Sequence, residues 1–312
     1  MFRSDKTVCS EMKILLTGAT GFLGSHIAEN LLENGFELIL TKRNNSNLKN
    51  CQSFSSNVAW VNTDEDLWMD EVIDFNPRII IHSAWNGVSS SNRDDWESQL
   101  SNIDYMYFLL KIAKECNVDK FISLGSQAEY GQFEGRISED YPLNPTTTYG
   151  AVKLVASRIL KMFCEDNNIK WYWLRVFSVF GEREDEKWLI PSVIKAMLTE
   201  QTEMNFTPCE QKYAYLYVRD FAQSITNVVI ANGSSGIYNL SSDSPLSLKD
   251  IVVMIKDRVN PYFKLNFGQL AYRESQSMHI EGDSTKFNST FAKIDSANFY
   301  IKLNKVIDSF KN

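Results

Sequence analysis

The stretch Met12-Lys13-Ile14-Leu15-Leu16-Thr17-Gly18-Ala19-Thr20-Gly21-Phe22-Leu23-Gly24 decides the fold. A short apolar run ends in glycine and an amphipathic segment follows over residues 25–34, which predicts strand, glycine turn and helix. Glycines in such a turn let backbone N–H groups and a helix N-terminus approach a pyrophosphate without Cβ atoms in the way. The spacing is G-x-x-G-x-x-G, a departure from the stricter G-x-G-x-x-G fingerprint. A purely structural turn would use glycines too, and it is the strand-turn-helix context that favours a nucleotide.

Outward from this unit, residues 35–41 read as a second strand ending in Lys42-Arg43-Asn44. A basic strand end accommodates a ribose 2′-phosphate where an acidic one would bind the 2′-hydroxyl, so Lys42 and Arg43 favour NADP(H), with NAD(H) the alternative if they are only solvated loop cations. Residues 58–61 give a third strand, with Asp64 or Asn62 placed to meet an adenine. Residues 78–84 form a continuous apolar run suited to a parallel strand buried on both faces, and His82 at its end reads as a buried, satisfied histidine. A long helix over 96–116 contains Asn102, a fifth strand spans 120–126 and a sixth 170–177. Strands separated by helical patterns predict an α/β fold, a doubly wound parallel Rossmann sheet over residues 12–181. Ligands bind beyond the carboxyl ends of such strands, where Gly18, Ala84 and Ser126 lie. Residues 182–312 read as a smaller substrate-binding lobe, some segments returning to the first domain. Its expected elements are a helix at 189–200, a strand at 213–218, a helix at 220–231, and pieces at 237–240, 248–259 and 292–310.

A net charge of -7 without a basic run argues against a nucleic-acid or anionic-membrane partner. The five cysteines, at positions 9, 51, 116, 164 and 209, have neither C-x-x-C pairing nor metal-ligand spacing, which suits a reducing cytoplasm and no metal site. Residues 1–11 are polar and unlike a signal peptide, a loose extension with Met12 a conceivable alternative start. No window of about 18 apolar residues offers a membrane span.

Asn144-Pro145-Thr146-Thr147-Thr148 reads as a helix start, and apolar residues then recur at helical spacing over 150–163. In Tyr149-Gly150-Ala151-Val152-Lys153, the tyrosine and lysine fall on one helical face. A phenol titrates near about 10 in water, and a lysine one turn away can favour the phenolate. Taken alone, the pair is equally an amphipathic helix with a surface lysine.

In combination, these motifs resemble the extended short-chain dehydrogenase/reductase family of nucleotide-sugar epimerases, dehydratases and reductases. The resemblance rests on the Thr17 to Gly24 loop, Ile81-His82-Ser83-Ala84, Asn102, Ser126-Gln127-Ala128-Glu129-Tyr130-Gly131, Tyr149 with Lys153, Arg175 to Gly181, and Tyr217-Val218-Arg219-Asp220. It implies that Gly18, Thr20, Gly21, Phe22, Leu23, Ser83 and Ala84 contact the cofactor. It further implies that Tyr149 is the acid or base, that Lys153 lowers its pKa and holds the nicotinamide ribose, and that Ser126 bonds the reacting oxygen. Gln127, Ser178 and Arg273 are the candidate substrate contacts. Ser178 stands where the family often has asparagine, and Arg273 could pair with a diphosphate.

Among the family's reactions, 4,6-dehydratases resemble this chain but carry two acids where Gln127 and Ala128 stand, so elimination is disfavoured and Glu129 is one place out of register. Lys42-Arg43 tilts the reading to a reductase, and residues 125–131, 267–273 and 278–283 resemble the reductases that finish deoxysugar nucleotides, which implies NADPH-dependent reduction of a nucleoside-diphosphate 4-keto-6-deoxy sugar at C4. An NAD-dependent 4-epimerase is the alternative, and a non-catalytic NAD(P)-sensing protein a third reading. A homodimer through the helices at 96–116 and 149–163 is the family's default.

Overall fold

Ile14 and Leu16 point to one side of a sheet and Leu15 to the other, and all three are fully buried. That two-sided burial is what a central parallel strand demands. The computed structural model describes residues 12–89, 92–274 and 276–311, so the extension read over residues 1–11, with Cys9, lies outside the described residues.

Seven parallel strands form the main sheet: β1 Lys13–Thr17, β2 Glu37–Lys42, β3 Ala59–Asn62, β4 Ile79–His82, β5 Lys120–Ser126, β6 Lys170–Val176 and β7 Gly236–Leu240. Their spatial order is β7-β6-β5-β4-β1-β2-β3. The helices are α1 Phe22–Glu33, α2 Trp68–Phe75, α3 Trp96–Glu115, α4 Thr148–Asp166, α5 Leu189–Leu198, α6 Val218–Ile230, α7 Leu248–Val259, α8 Thr285–Thr290 and α9 Phe299–Ser309. On one face of the sheet Ile14 and Leu16 meet Ile27 and Leu31 of α1 and Phe221 and Ile225 of α6. On the other, Leu15 and Ile80 meet Met106 and Leu109 of α3 and Ala156 and Leu160 of α4. The doubly wound α/β sheet expected from the sequence is the one found.

Register fixes where the strand ends fall. Thr17 pairs with His82 and His82 with Ser123, so β5 runs on past the ends of β1 and β4, and Ser126 lies level with Val176 of β6 at the carboxyl edge.

The second part of the chain departs from simple periodicity. The strand expected at 213–218 is two: Lys212–Tyr213 joins a four-stranded sheet with Leu246–Ser247, His279–Gly282 and Gly135–Ile137, while Leu216–Tyr217 pairs with Val179–Phe180. Val218 already opens α6. The helix expected from 189 stops at Leu198, and of residues 292–310 only Phe299–Ser309 is α-helical. Helix α4 starts at Thr148, before the first periodic residue, because the Thr147 hydroxyl caps it by accepting from Gly150 N at 3.1 Å. A separate core of α5, α7 and α9 side chains, with Ile194, Ile251 and Val306 among them, has Phe22 and Leu23 of α1 packed against it. Gly236–Leu240 returns to the main sheet as β7. Among the described residues no helix is long and apolar enough to cross a membrane.

Close approach at the first turn yields a test. A Cβ on Gly24 would sit 2.1 Å from the Gly18 carbonyl oxygen, whereas one on Gly21 would meet the same oxygen at an ordinary 3.4 Å. In urea unfolding, Gly24→Ala is expected to cost about 1–3 kcal/mol, as overpacking does, and Gly21→Ala much less. Equal losses would contradict this packing.

Candidate active site

At the carboxyl edge of β1 and β4, Gly18 adopts φ +75°, and a Cβ there would lie 2.6 Å from the Ala84 nitrogen. Only glycine lets these two strand ends close up. The Thr17 hydroxyl bridges the same edge, lying 2.9 Å from His82 Nδ1 and accepting from Ala84 N at 3.2 Å. Burial drives His82 down to about 3, so it is neutral, and its Nε2 has no partner among the described residues. The expected satisfied histidine is thus half satisfied. Gly21 precedes α1 with no side-chain cap, and the first turn of α1 carries no acid. An uncapped helix N-terminus beside a glycine turn suits a dinucleotide pyrophosphate, so these residues fit an NAD(P) cofactor. Ser83 and Ala84 are half-buried after β4, and the Thr20 carbonyl accepts from Asn50 Nδ2 at 3.2 Å.

Ser126 ends β5 and caps a short 3₁₀ turn, Gln127–Tyr130. Its hydroxyl accepts from Ala128 N at 3.2 Å, and Glu129 reaches back to accept from Ser126 N at 2.8 Å, a reciprocal capping box. Glu129 is 0% exposed and Arg175 of β6 1%. Glu129 Oε1 also accepts from Trp173 Nε1 at 2.8 Å, and its Oε2 pairs with Arg175 Nε at 2.8 Å. The guanidinium lies 4.5 Å from the Tyr130 ring centroid, and Tyr130 donates to Asn239 of β7 at 2.6 Å. Glu129 is therefore a fully engaged structural carboxylate whose role the sequence reading missed. The spacing Ser-x-x-Glu was the signal available for it.

Tyr149 and Lys153 sit on the first turns of α4, both buried. Burial pushes the Tyr149 phenol up, against the Ser126 hydrogen bond and the Arg93 charge that pull it down. Arg93 lies 5.0 Å over the Tyr149 ring. Lys153 donates to the Leu124 carbonyl at 2.6 Å and its Nζ lies 3.5 Å from the Trp85 ring centroid, against 5.9 Å from that of Tyr149. Burial brings the ammonium down to about 7, opposed by the Glu129 charge. Ser126 and Arg93 act on the phenol, and Lys153 turns to a carbonyl and an indole face.

The remaining candidates are more scattered. Lys42 is half-buried at the end of β2, and Arg43, exposed, donates from Nη1 to Asn86 Oδ1 at 3.3 Å. Asp64 accepts from Asn44 N at 2.8 Å on that side of the sheet. Gln127 follows Ser126 with a buried, unpartnered Oε1. Ser178 is half-buried after β6, its carbonyl accepting from Leu216 N at 2.8 Å. Arg273 is exposed, its charge felt by Tyr213. The structure thus joins Ser126, Gln127, Tyr149 and Lys153, and groups Gly18 with Ala84. Lys42, Arg43 and Asp64 lie together by β2 and β3, and Arg273 stands apart. Among the described residues no cluster of His, Cys, Asp and Glu could hold a metal ion.

A model of the NAD dependent epimerase/dehydratase family matches residues 14–241. A protein of Methanocaldococcus jannaschii named provisionally as a UDP-glucose 4-epimerase is 29% identical over 79% of this chain and 82% of its own. The dTDP-6-deoxy-L-talose 4-dehydrogenase (NAD(+)) of Aggregatibacter actinomycetemcomitans is 24% identical over 87% of this chain and 99% of its own. The solved UDP-glucuronic acid 4-epimerase of Bacillus cereus, in complex with UDP-glucuronic acid and NAD, shares the fold with a TM-score of 0.83 at 24% identity, covering 96% of this chain and 99% of that one.

Two stability measurements probe the buried charges. Glu129→Leu, which strands Arg175, should cost about 3–5 kcal/mol in urea unfolding, and Arg175→Met on that background should recover much of it. Additive losses would deny that the two charges form one unit. For Lys153, both folded and unfolded chains carry the charge below pH 7, so its burial is a full cost there. Between about 7 and its ordinary 10.5 the unfolded chain binds the extra proton, so stability gained from this residue rises with pH. Lys153→Met should therefore be more stable than the natural protein at pH 6, with the gap narrowing as pH rises through that window. A gap that does not change with pH would contradict the buried ammonium.

Proposed function

The chain belongs to the NAD dependent epimerase/dehydratase family, and from that premise we propose that it reduces the C4 keto group of a nucleoside-diphosphate 4-keto-6-deoxy sugar. The observation that carries this reading is the engagement of Glu129. Both its oxygens are committed to Arg175, Trp173 and Ser126 N, while Gln127 and Ala128 beside the serine supply an amide and a methyl. One proton donor, Tyr149, then faces the site with Ser126, which suits redox at a single carbon and leaves no second acid and base for elimination.

A bound NADPH supplies the hydride. Gly18, Gly21 and the start of α1 hold its pyrophosphate, Thr20, Phe22, Leu23, Ser83 and Ala84 line its path, and Asp64 stands on the adenine side. Lys42 and Arg43 receive the 2′-phosphate, Arg43 being exposed and free to turn from its long bond to Asn86. Lys153 donates to the nicotinamide ribose. Tyr149 gives its phenolic proton to the C4 oxygen as that oxygen gains charge, and Ser126 orients the same oxygen by a hydrogen bond. Gln127, with its unpartnered Oε1, Ser178 and Arg273 contact the sugar nucleotide. The A. actinomycetemcomitans relative, a 4-dehydrogenase of a dTDP-6-deoxy sugar that uses NAD(+), supports the choice of C4 and of a deoxy sugar.

A second reading, a 4-epimerase that retains NAD, is favoured by the M. jannaschii relative and by the NAD in the B. cereus structure. We also propose a homodimer, because α3 and α4 expose Leu100, Tyr107, Val155 and Met162 at 50–66%. A cytoplasmic setting is supported by the free, buried thiols of Cys51, Cys116, Cys164 and Cys209.

Purified protein should consume NADPH when given a nucleoside-diphosphate 4-keto-6-deoxy sugar, and Tyr149→Phe should lower that turnover by about 10²–10⁴-fold with little change in cofactor affinity. Conversion of a nucleotide sugar without net consumption of NADPH would give the epimerase reading instead. Arg43→Ala should weaken NADPH more than NADH, and equal weakening would remove the case for NADP(H).

A further inference from the structure

Lys153 is almost wholly enclosed, at 4% exposure, yet no carboxylate bonds its ammonium among the described residues. One carbonyl, Leu124 O, accepts from it. Its other close neighbour is the indole of Trp85, whose ring centroid lies 3.5 Å from Nζ. An ammonium over an indole face is drawn to the ring's negative quadrupole, and the attraction grows as water is excluded. The same ring meets Tyr149 edge-on, centroids 6.3 Å apart and planes at 89°.

Trp85 is not loosely placed. Its Nε1 donates to Gln99 Oε1 at 2.9 Å, and Gln99, fully buried on α3, donates from Nε2 to Gly87 O at 2.8 Å and Asn92 O at 3.2 Å. One turn along, Asn102 accepts from Asn86 N at 2.7 Å. Two amide side chains on α3 therefore pin the segment after β4 and present the indole to α4.

We propose that Trp85 is a positioning residue that holds the Lys153 ammonium against its ring face and sets the orientation of the Lys153–Tyr149 pair. The inference rests on the reading of that pair as the reacting groups, and it adds a residue to the reaction centre that neither glycine nor Tyr-Lys motifs include. The groups around the ammonium leave the indole as its main compensation. Glu129 is the nearest anionic group and is already paired with Arg175, while His82 and Tyr149 are neutral. The other cation nearby, Arg93, lies 5.0 Å over the Tyr149 ring and offers the ammonium no compensation.

The test needs neither substrate nor cofactor. Protein labelled with ¹³C at lysine Cε is titrated by NMR, and the Lys153 resonance is identified by its loss in Lys153→Met. In the natural protein the Lys153 ε-methylene should lie upfield of the other lysines, shielded by the ring, and titrate near 7. In Trp85→Leu the midpoint should fall by about one pH unit, and in Trp85→Phe, which keeps a weaker ring face, by less. A Lys153 signal at the ordinary lysine position in the natural protein overturns the proposal, whether or not the leucine variant folds. So does one midpoint shared by the natural protein and Trp85→Phe together with any folded Trp85→Leu. A stacked lysine in a protein that reduces no keto sugar would sink the reductase reading and leave this inference standing.

Discussion

The buried ion pair between Glu129 and Arg175 is the constraint on which the site depends. It ties the turn after β5 to the neighbouring β6, and through β7 to the second part of the chain by way of Tyr130 and Asn239. Two charges removed from water stabilise nothing unless their remaining valences are met. Here they are met by Ser126 N, by Trp173 Nε1 and by the Tyr130 ring face. The consequence is local. Ser126 cannot shift without breaking a capped turn, and the anion that opposes the burial of Lys153 is itself fixed in place.

Such an arrangement explains how one fold serves several reactions at a single edge. On the proposed reading the strand ends and the glycine turn are the cofactor seat, and the residues after Ser126 set which further groups could act at the sugar. In that reading an acid pair there would permit elimination, whereas the amide of Gln127 and the methyl of Ala128 leave Tyr149 as the proposed proton donor. The acidic residue that the chain does carry, Glu129, is turned inward and spent on structure.

The fold was largely legible. Short continuous apolar runs, such as Ile79 to Ile81 after Pro77, suit strands buried on both faces, and each of the six strands read before residue 181 is present. The second part was less so, because its strands are two to four residues long and pair with partners far away in sequence, as Leu216–Tyr217 does with Val179–Phe180. Periodicity needs longer segments than that. In the candidate site, Ser126, Tyr149 and Lys153 stood out by motif, and Glu129 was visible as a capping residue but was weighed only as a misplaced acid. Trp85, Gln99 and Arg93 carried no local signal, since their roles come from packing between segments. The direction in which Lys153 points was equally beyond an i, i+4 argument, which places two residues on one face and says nothing of what lies between them.

The central claim is that hydride moves once, from cofactor to the sugar's C4, and stays there. NADPH carrying deuterium at both C4 positions, incubated with the enzyme and a nucleoside-diphosphate 4-keto-6-deoxy sugar, should yield a product bearing one deuterium at C4, with NADP⁺ formed in equal amount. A keto sugar left unreduced with the labelled cofactor unconsumed, while a 4-hydroxy nucleotide sugar given to the same protein is inverted at C4 without taking up deuterium, would contradict it.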